Sequence, residues 1–303
     1  MIARIEVSAQ YGMTMKMNIQ DQFLPWWEEH EQNYDLLLLD VDGTLVQKHT
    51  ALPGVDEMLK GLEKRGFPWY VLTNDGHRSH AEKSASISKS GLNVPPSHLV
   101  SCADALLDFV RNEELEGQMF FRAGYFGSPD YGESAGLKMT DDTARIPECR
   151  GFILPESLDR STMPDILFNA FLDNPDRYLI VPNPDSYWPG SHPGEFVLGS
   201  APFARMLQKV LAEKGVRVSP HFLGKPHHGI FDHAIKVAEE HYDMSLGDRH
   251  RILMLGDSVH SDIPGAVRGG MDNALVLTGI THEDQLRELK GDNRPRRVFR
   301  RIA

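Results

Sequence analysis

The chain has 303 residues, 41% hydrophobic and 25% charged, the balance of a soluble globular protein of about two domains. Its 43 acidic against 32 basic side chains leave a net charge of −11, which argues against a nucleic-acid partner, because such binding is dominated by cations that neutralise phosphates. Two cysteines, Cys102 and Cys149, make no disulfide framework and suit a reducing cytoplasm, and neither a membrane span of ~20 apolar residues nor a secretory signal is present.

Residues 1–33 read as an N-terminal extension, in which Phe23, Leu24, Trp26 and Trp27 make a short helix covering a hydrophobic edge. Leu36 to Leu39 is a continuous apolar run, the pattern of a strand buried on both faces of a parallel sheet. It ends in Asp40-Val41-Asp42-Gly43-Thr44. Val55 to Lys64 follows with Val55, Met58, Leu59 and Leu62 at helical spacing, and Gly66 stands where a helix-terminating glycine belongs. Trp69 to Leu72 is a second buried strand, ending in Thr73-Asn74-Asp75-Gly76. The unit is β-α-β, with parallel strands and a right-handed crossover.

The same pattern recurs late. Phe222-Leu223 leads into Gly224-Lys225-Pro226 and a helix from Gly229 to Glu240. A strand, Arg251 to Leu255, ends in Gly256-Asp257-Ser258; a short helix (Ile263 to Arg268) and a strand (Ala274 to Leu277) complete it. The singled-out polar residues all lie just past the carboxyl ends of expected strands, where open α/β sheets bind ligands. Between the two halves, a stretch of more than a hundred residues is too long for a loop. It reads as an inserted domain with a stiff exit at Pro182-Asn183-Pro184-Asp185. The expected division is a core of 34–78 and 186–303, with an insert of 79–185.

Asp40 and Asp42 leave a buried strand together, and carboxylates are depleted from strands and costly to bury unpaired. Gly43 permits a tight turn there. Thr73 and Asn74 add neutral hydrogen-bonding groups at the next strand end, Lys225 adds a compact positive charge, and Asp257 and Asp262 add two more carboxylates. Four carboxylates and one lysine in a single cleft require a divalent cation, since each like-charge pair at ~4 Å costs about 4 kcal/mol at an effective dielectric of 20. Oxygen donors without convergent His or Cys select a hard ion, and Mg2+ suits a site that retains waters and shares phosphate oxygens. The 14 histidines, His227, His228 and His260 among them, show no metal-ligand spacing and read as surface or supporting residues. Cys102 and Cys149 read as small buried hydrophobes.

In order, Asp-x-Asp-Gly-Thr, a strand-ending Thr, a Lys and Gly-Asp-(x)4-Asp resemble the four motifs of the haloacid dehalogenase-like (HAD) phosphohydrolases. The position of the insert, Leu-Thr-Asn after the second strand, Asn183-Pro184-Asp185, Gly224-Lys225-Pro226 and Val276-Leu277-Thr278-Gly279 resemble class IIA, the NagD-like or 4-nitrophenylphosphatase-like group. The resemblance spans about residues 34 to 290. It departs at Asp75, where the family often has a second Asn, and at Gly199-Ser200-Ala201, where the usual turn is richer in glycine.

The resemblance implies a Rossmann-like core with a central parallel sheet and an inserted α/β cap. It also implies a Mg2+-dependent phosphomonoesterase acting on a small phosphorylated metabolite. Asp40 is then the nucleophile and Asp42 the general acid and base. Thr73, Asn74 and Lys225 hold the phosphoryl oxygens. Asp40, the Asp42 carbonyl and Asp257 ligate Mg2+, with Asp262 orienting that metal set from behind. Gly43, Asn74, Asp75, Asp185, Trp188 and His192 are the candidate substrate contacts. Dehalogenation is disfavoured by Asp42, since halide needs no general acid, and a mutase by the large cap. A non-catalytic phosphometabolite-binding protein is disfavoured by the intact motifs. A cap-mediated homodimer is compatible with the chain.

Overall fold

The computed structural model describes residues 18–190, 192 and 194–303; residues 1–17 of the expected extension lie outside them. The four leucines Leu36–Leu39 explain the core. Leu37 and Leu39 enter one apolar cluster with Val55, Met58, Leu59 and Leu62 of the helix Val55–Arg65. Leu36 and Leu38 enter another with Ile230, Phe231, Ala234 and Ala238 of the helix His228–Tyr242. A strand covered on both faces has no polar side, so its sequence does not alternate.

This strand is central in a seven-stranded sheet of order Ile19–Gln22, Arg297–Arg301, Asp272–Val276, Ile252–Gly256, Leu36–Leu39, Trp69–Thr73, Leu99–Ser101. Every neighbouring pair is parallel. A second, five-stranded parallel sheet has the order Pro220–Phe222, Tyr178–Val181, Gly151–Ile153, Met119–Arg122, Lys138–Thr140. One face of it packs on the helices Met163–Asp173 and Ser200–Glu213, the other on Ala105–Asn112. The class is α/β, a large parallel core carrying a smaller α/β cap.

The sheets divide the chain differently from the expected boundaries. Leu99–Ser101 belongs to the large sheet, although 79 was the expected start of the insert. Pro220–Phe222 belongs to the small one, although the insert was expected to end at 185. The helix Ser200–Glu213 also buries its apolar face against the small sheet. The insert on this criterion runs from about 102 to 223, and Lys225 follows a strand of the cap. Sheet membership depends on partners distant in sequence, which hydrophobic periodicity does not report.

The N-terminal segment is more than a cover. Ile19–Gln22 adds an edge strand beside Arg297–Arg301. The helix Phe23–His30 buries Phe23, Leu24 and Trp27 in the core. Trp27 stacks on Phe23 and Tyr34 at 5.9 and 5.6 Å between ring centroids and meets Phe67 edge-on at 5.2 Å. Trp27→Ala should therefore lower unfolding free energy by about 3–5 kcal/mol, read from the denaturant midpoint. A loss below about 1 kcal/mol would mean that the segment merely lies on the surface.

Candidate active site

Two adjacent strands end level with each other, Leu39 opposite Leu255, and the Asp40 amide donates to the Leu255 carbonyl at 2.9 Å. That register brings Asp40 beside Asp257 and Asp262. One carboxylate oxygen from each of the three lies within 4.8 Å of the others. Lys225 closes the group: its buried Nζ stands 2.5 Å from Asp40 Oδ1 and 2.8 Å from Asp262 Oδ1, and donates to the Leu72 carbonyl at 3.0 Å. Asp262 turns its other oxygen to the Ser258 amide at 3.0 Å. Asp257 Oδ2 accepts from the Ile280 amide at 2.7 Å.

One ammonium does not neutralise three carboxylates. At 4.8 Å and an effective dielectric of 20, each like pair still costs about 3 kcal/mol. The titration of the cluster reflects this. Burial, with Asp262 adding to it and Lys225 opposing, pushes Asp40 up to about 7. Burial, then Asp40 and Asp262, pushes Asp257 far above the usual carboxylate range. Burial alone would depress the Lys225 ammonium, but Asp262 and Asp40 outweigh it and hold its pKa up. An all-oxygen donor set with excess negative charge fits a hard dication. Gly43, at φ +81°, and Gly279 keep the approach to Asp257 clear, since a Cβ at either would collide with its carboxylate.

The remaining expected residues divide into three groups. Asn74 lies within the site: its Oδ1 accepts from the Lys225 amide, and its Nδ2 donates to the Lys225 carbonyl and to Asp185 Oδ1, all at 2.9 Å. Thr73 is buried at the strand end, its Oγ1 accepting from the Asp75 amide at 3.1 Å. Asp42 does not join the carboxylate group. Beyond the strand it forms a bridge with Val46, and its side chain is 74% exposed with Lys83 at 3.9 Å; four carboxylates in one cleft become three, with the fourth at the rim. Trp188 and His192 sit on the hairpin Tyr187–Pro189 and Phe196–Leu198, where Trp188 pairs with Val197 and the His192 amide donates to Glu195. Among the described residues, neither side chain hydrogen-bonds the carboxylate cluster.

Two residues of the site lie outside every motif. Lys83 pairs with Asp75 at 2.9 Å; burial opposes the ionised form of Asp75, but Lys83 and Arg78 prevail and hold its pKa low. Glu156 comes from the cap, following Gly151–Ile153, and its Oε1 accepts from the Gly76 amide at 3.2 Å and from Asn183 Nδ2 at 2.8 Å. Burial, aided by Asp75, pushes Glu156 up to about 7; burial pushes Asp185 up to about 6.

An acid whose folded pKa exceeds its unfolded value keeps a proton that the unfolded chain releases, so stability falls as pH rises through that interval. For Glu156 the window runs from 4.5 to about 7. Glu156→Gln should raise the Tm of the metal-free protein at pH 8 by about 3 °C and change it little at pH 4. Equal shifts at both pH values would refute the buried, proton-holding state.

A family model described as "Haloacid dehalogenase-like hydrolase" matches residues 37–137, and one described as HAD-hydrolase-like matches residues 222–303. Ribonucleotide monophosphatase NagD of Escherichia coli K12 is 25% identical over 255 residues, 82% of this chain and 90% of its own. The NagD structure from that strain superposes with a TM-score of 0.72 at 22% identity, covering 88% of this chain and 96% of that one. Dihydroxyacetone phosphatase of Corynebacterium glutamicum is 25% identical over 266 residues, 88% of both chains. Glycerol phosphate phosphatase of Mycobacterium tuberculosis, in complex with magnesium, superposes with a TM-score of 0.71 at 20% identity, covering 88% of this chain and 75% of that one.

Proposed function

The chain belongs to the haloacid dehalogenase-like hydrolases, and from that premise we propose that it hydrolyses a small phosphate monoester by way of an aspartyl-phosphate on Asp40. The observation that carries this reading is the buried convergence of Asp40, Asp257 and Asp262 on the Lys225 ammonium. Relatives described as phosphatases of ribonucleotides, dihydroxyacetone phosphate and glycerol phosphate support a small phosphometabolite as substrate. Two free, buried cysteines suit a reducing cytoplasm. No described helix is long and apolar enough to cross a membrane.

Asp40 supplies the attacking carboxylate oxygen. As its bond to phosphorus forms, the bond from phosphorus to the ester oxygen breaks, and Asp42 gives that oxygen a proton. Asp42, now a carboxylate, then takes a proton from the water that attacks phosphorus and releases Asp40. Thr73, the Asn74 backbone and Lys225 hold the phosphoryl oxygens as charge shifts among them. Asp40, the Asp42 carbonyl and Asp257 would hold Mg2+, with Asp262 orienting that shell while paired to Lys225. When bound, the cation would offset the excess negative charge of the cluster and of the phosphoryl group. The nucleophile must be ionised to attack; Lys225 favours that form of Asp40 against the burial and the Asp262 charge that push it up to about 7, and a dication held there would favour it further. The cap excludes bulk water from the phosphorylated carboxylate.

A panel of small phosphate esters assayed with Mg2+ and with excess chelator tests the proposal. Phosphate release that disappears with chelator is expected, whereas binding without turnover would replace hydrolysis with a non-catalytic role. Asp40→Asn should reduce kcat by about 10^4-fold or more with the fold retained; near-normal turnover would refute the nucleophile. Asp42→Asn should depress kcat/KM for alkyl phosphates more than for 4-nitrophenyl phosphate, whose phenolate departs without a proton.

A further inference from the structure

Lys83 belongs to none of the motifs, and its surroundings are unusual for a helical lysine. The helix His80–Ser88 starts at a capping box: the Ser79 side chain accepts from the Glu82 amide, and the Glu82 side chain accepts from the Ser79 amide. This fixes the first turn directly after the loop that carries Asn74 and Asp75. From that turn Lys83 points inward and is only 7% exposed. Burial of an ammonium is costly unless it is paired. Its partners are Asp75 Oδ2 at 2.9 Å and Asp42 Oδ2 at 3.9 Å. Burial draws the Lys83 pKa down, while Asp75 and Asp42 hold it up.

The two carboxylates are not equivalent. Asp75 is an anchor, held also by Arg78 at 3.0 Å and by the His77 amide at 3.2 Å. Asp42 is exposed, and among the described residues Lys83 is the only cationic side chain within 4.0 Å of it. A carboxylate in water samples several rotamers, and proton transfer to a leaving oxygen needs one of them. We propose that Lys83, anchored by Asp75, is a positioning residue that holds the Asp42 carboxyl toward the leaving group. The inference rests on the reading of Asp42 as general acid and base. The Asp75 and Lys83 pair thereby fixes a rim carboxylate that the cluster around Lys225 does not reach.

The test is kcat/KM in the presence of Mg2+ for wild type, Lys83→Met, Asp42→Asn and the double variant, each with 4-nitrophenyl phosphate and a primary alkyl phosphate. Lys83→Met should lower kcat/KM for the alkyl ester by about 10–100-fold and for the nitrophenyl ester several-fold less. The double variant should be no slower than Asp42→Asn alone, because Lys83 acts through Asp42. Lys83→Arg should recover most of the loss. Equal losses on both esters, or losses that multiply in the double variant, would overturn the proposal, the latter pointing to direct contact with substrate. Should Lys83→Met fail to fold by circular dichroism, Asp75→Asn takes its place in the same cycle, with the same outcomes deciding. A leaving-group effect present in Asp42→Asn but absent in Lys83→Met refutes the role of Lys83 alone. Its absence in Asp42→Asn refutes the acid role of Asp42, and the inference falls with it.

Discussion

The Lys225 ammonium, buried between Asp40 and Asp262, is the constraint on which the rest of the site depends. It joins three segments that are remote in sequence: the end of the first central strand, the helix after Ile252–Gly256, and the strand that ends at Thr73, through the Leu72 carbonyl. Removing such a charge would leave two carboxylates without their counter-ion in a low-dielectric interior, which costs far more than the pair gains. The three carboxylates and the lysine are thus interdependent. The excess negative charge that remains is what a dication would neutralise, so the folding problem and the proposed catalytic solution are the same electrostatic fact.

Lys225 also has a position that links the two layers of the molecule. It lies immediately beyond Pro220–Phe222, the edge strand of the cap sheet, yet its ammonium reaches into the core. Asn74, from the core, grips the Lys225 backbone through both amide and carbonyl, and also holds Asp185, in the loop after the cap strand Tyr178–Val181. The segments after two cap strands therefore meet the core through one asparagine side chain. Its three bonds satisfy buried polar groups that would otherwise go unpaired.

What was legible in the sequence is what is local. Leu36–Leu39 has the sheet pattern in four residues, and Asp40, Asp257 and Asp262 follow strands whose apolar runs are unambiguous. The fold class and the family follow from these. The division of the chain into core and cap did not, because Leu99–Ser101 and Pro220–Phe222 are three residues each and declare their sheet only through partners. Three of the four residues of the edge strand Ile19–Gln22 are polar, so it has no alternation to detect. Asp42 leaves the same strand end as Asp40, but its side chain is 74% exposed and lies outside the three-carboxylate group, a difference in side-chain direction that spacing alone does not report.

Lys83 and Asp75 show why a single departure from a family pattern is seldom isolated. A carboxylate where the family often carries an amide adds a negative charge to a cleft already rich in them. The charge is tolerable here because Lys83 and Arg78 converge on it, and together they hold its pKa low. A lysine on a helix ordinarily reads as a solvated residue, so nothing in its own sequence context marks it as buried. Its burial becomes intelligible only once Asp75 is seen to require it, and the pair then leaves a cation facing Asp42. Through that counter-ion the charge of Asp75 is linked to Asp42, whose Oδ2 stands 3.9 Å from Lys83 Nζ.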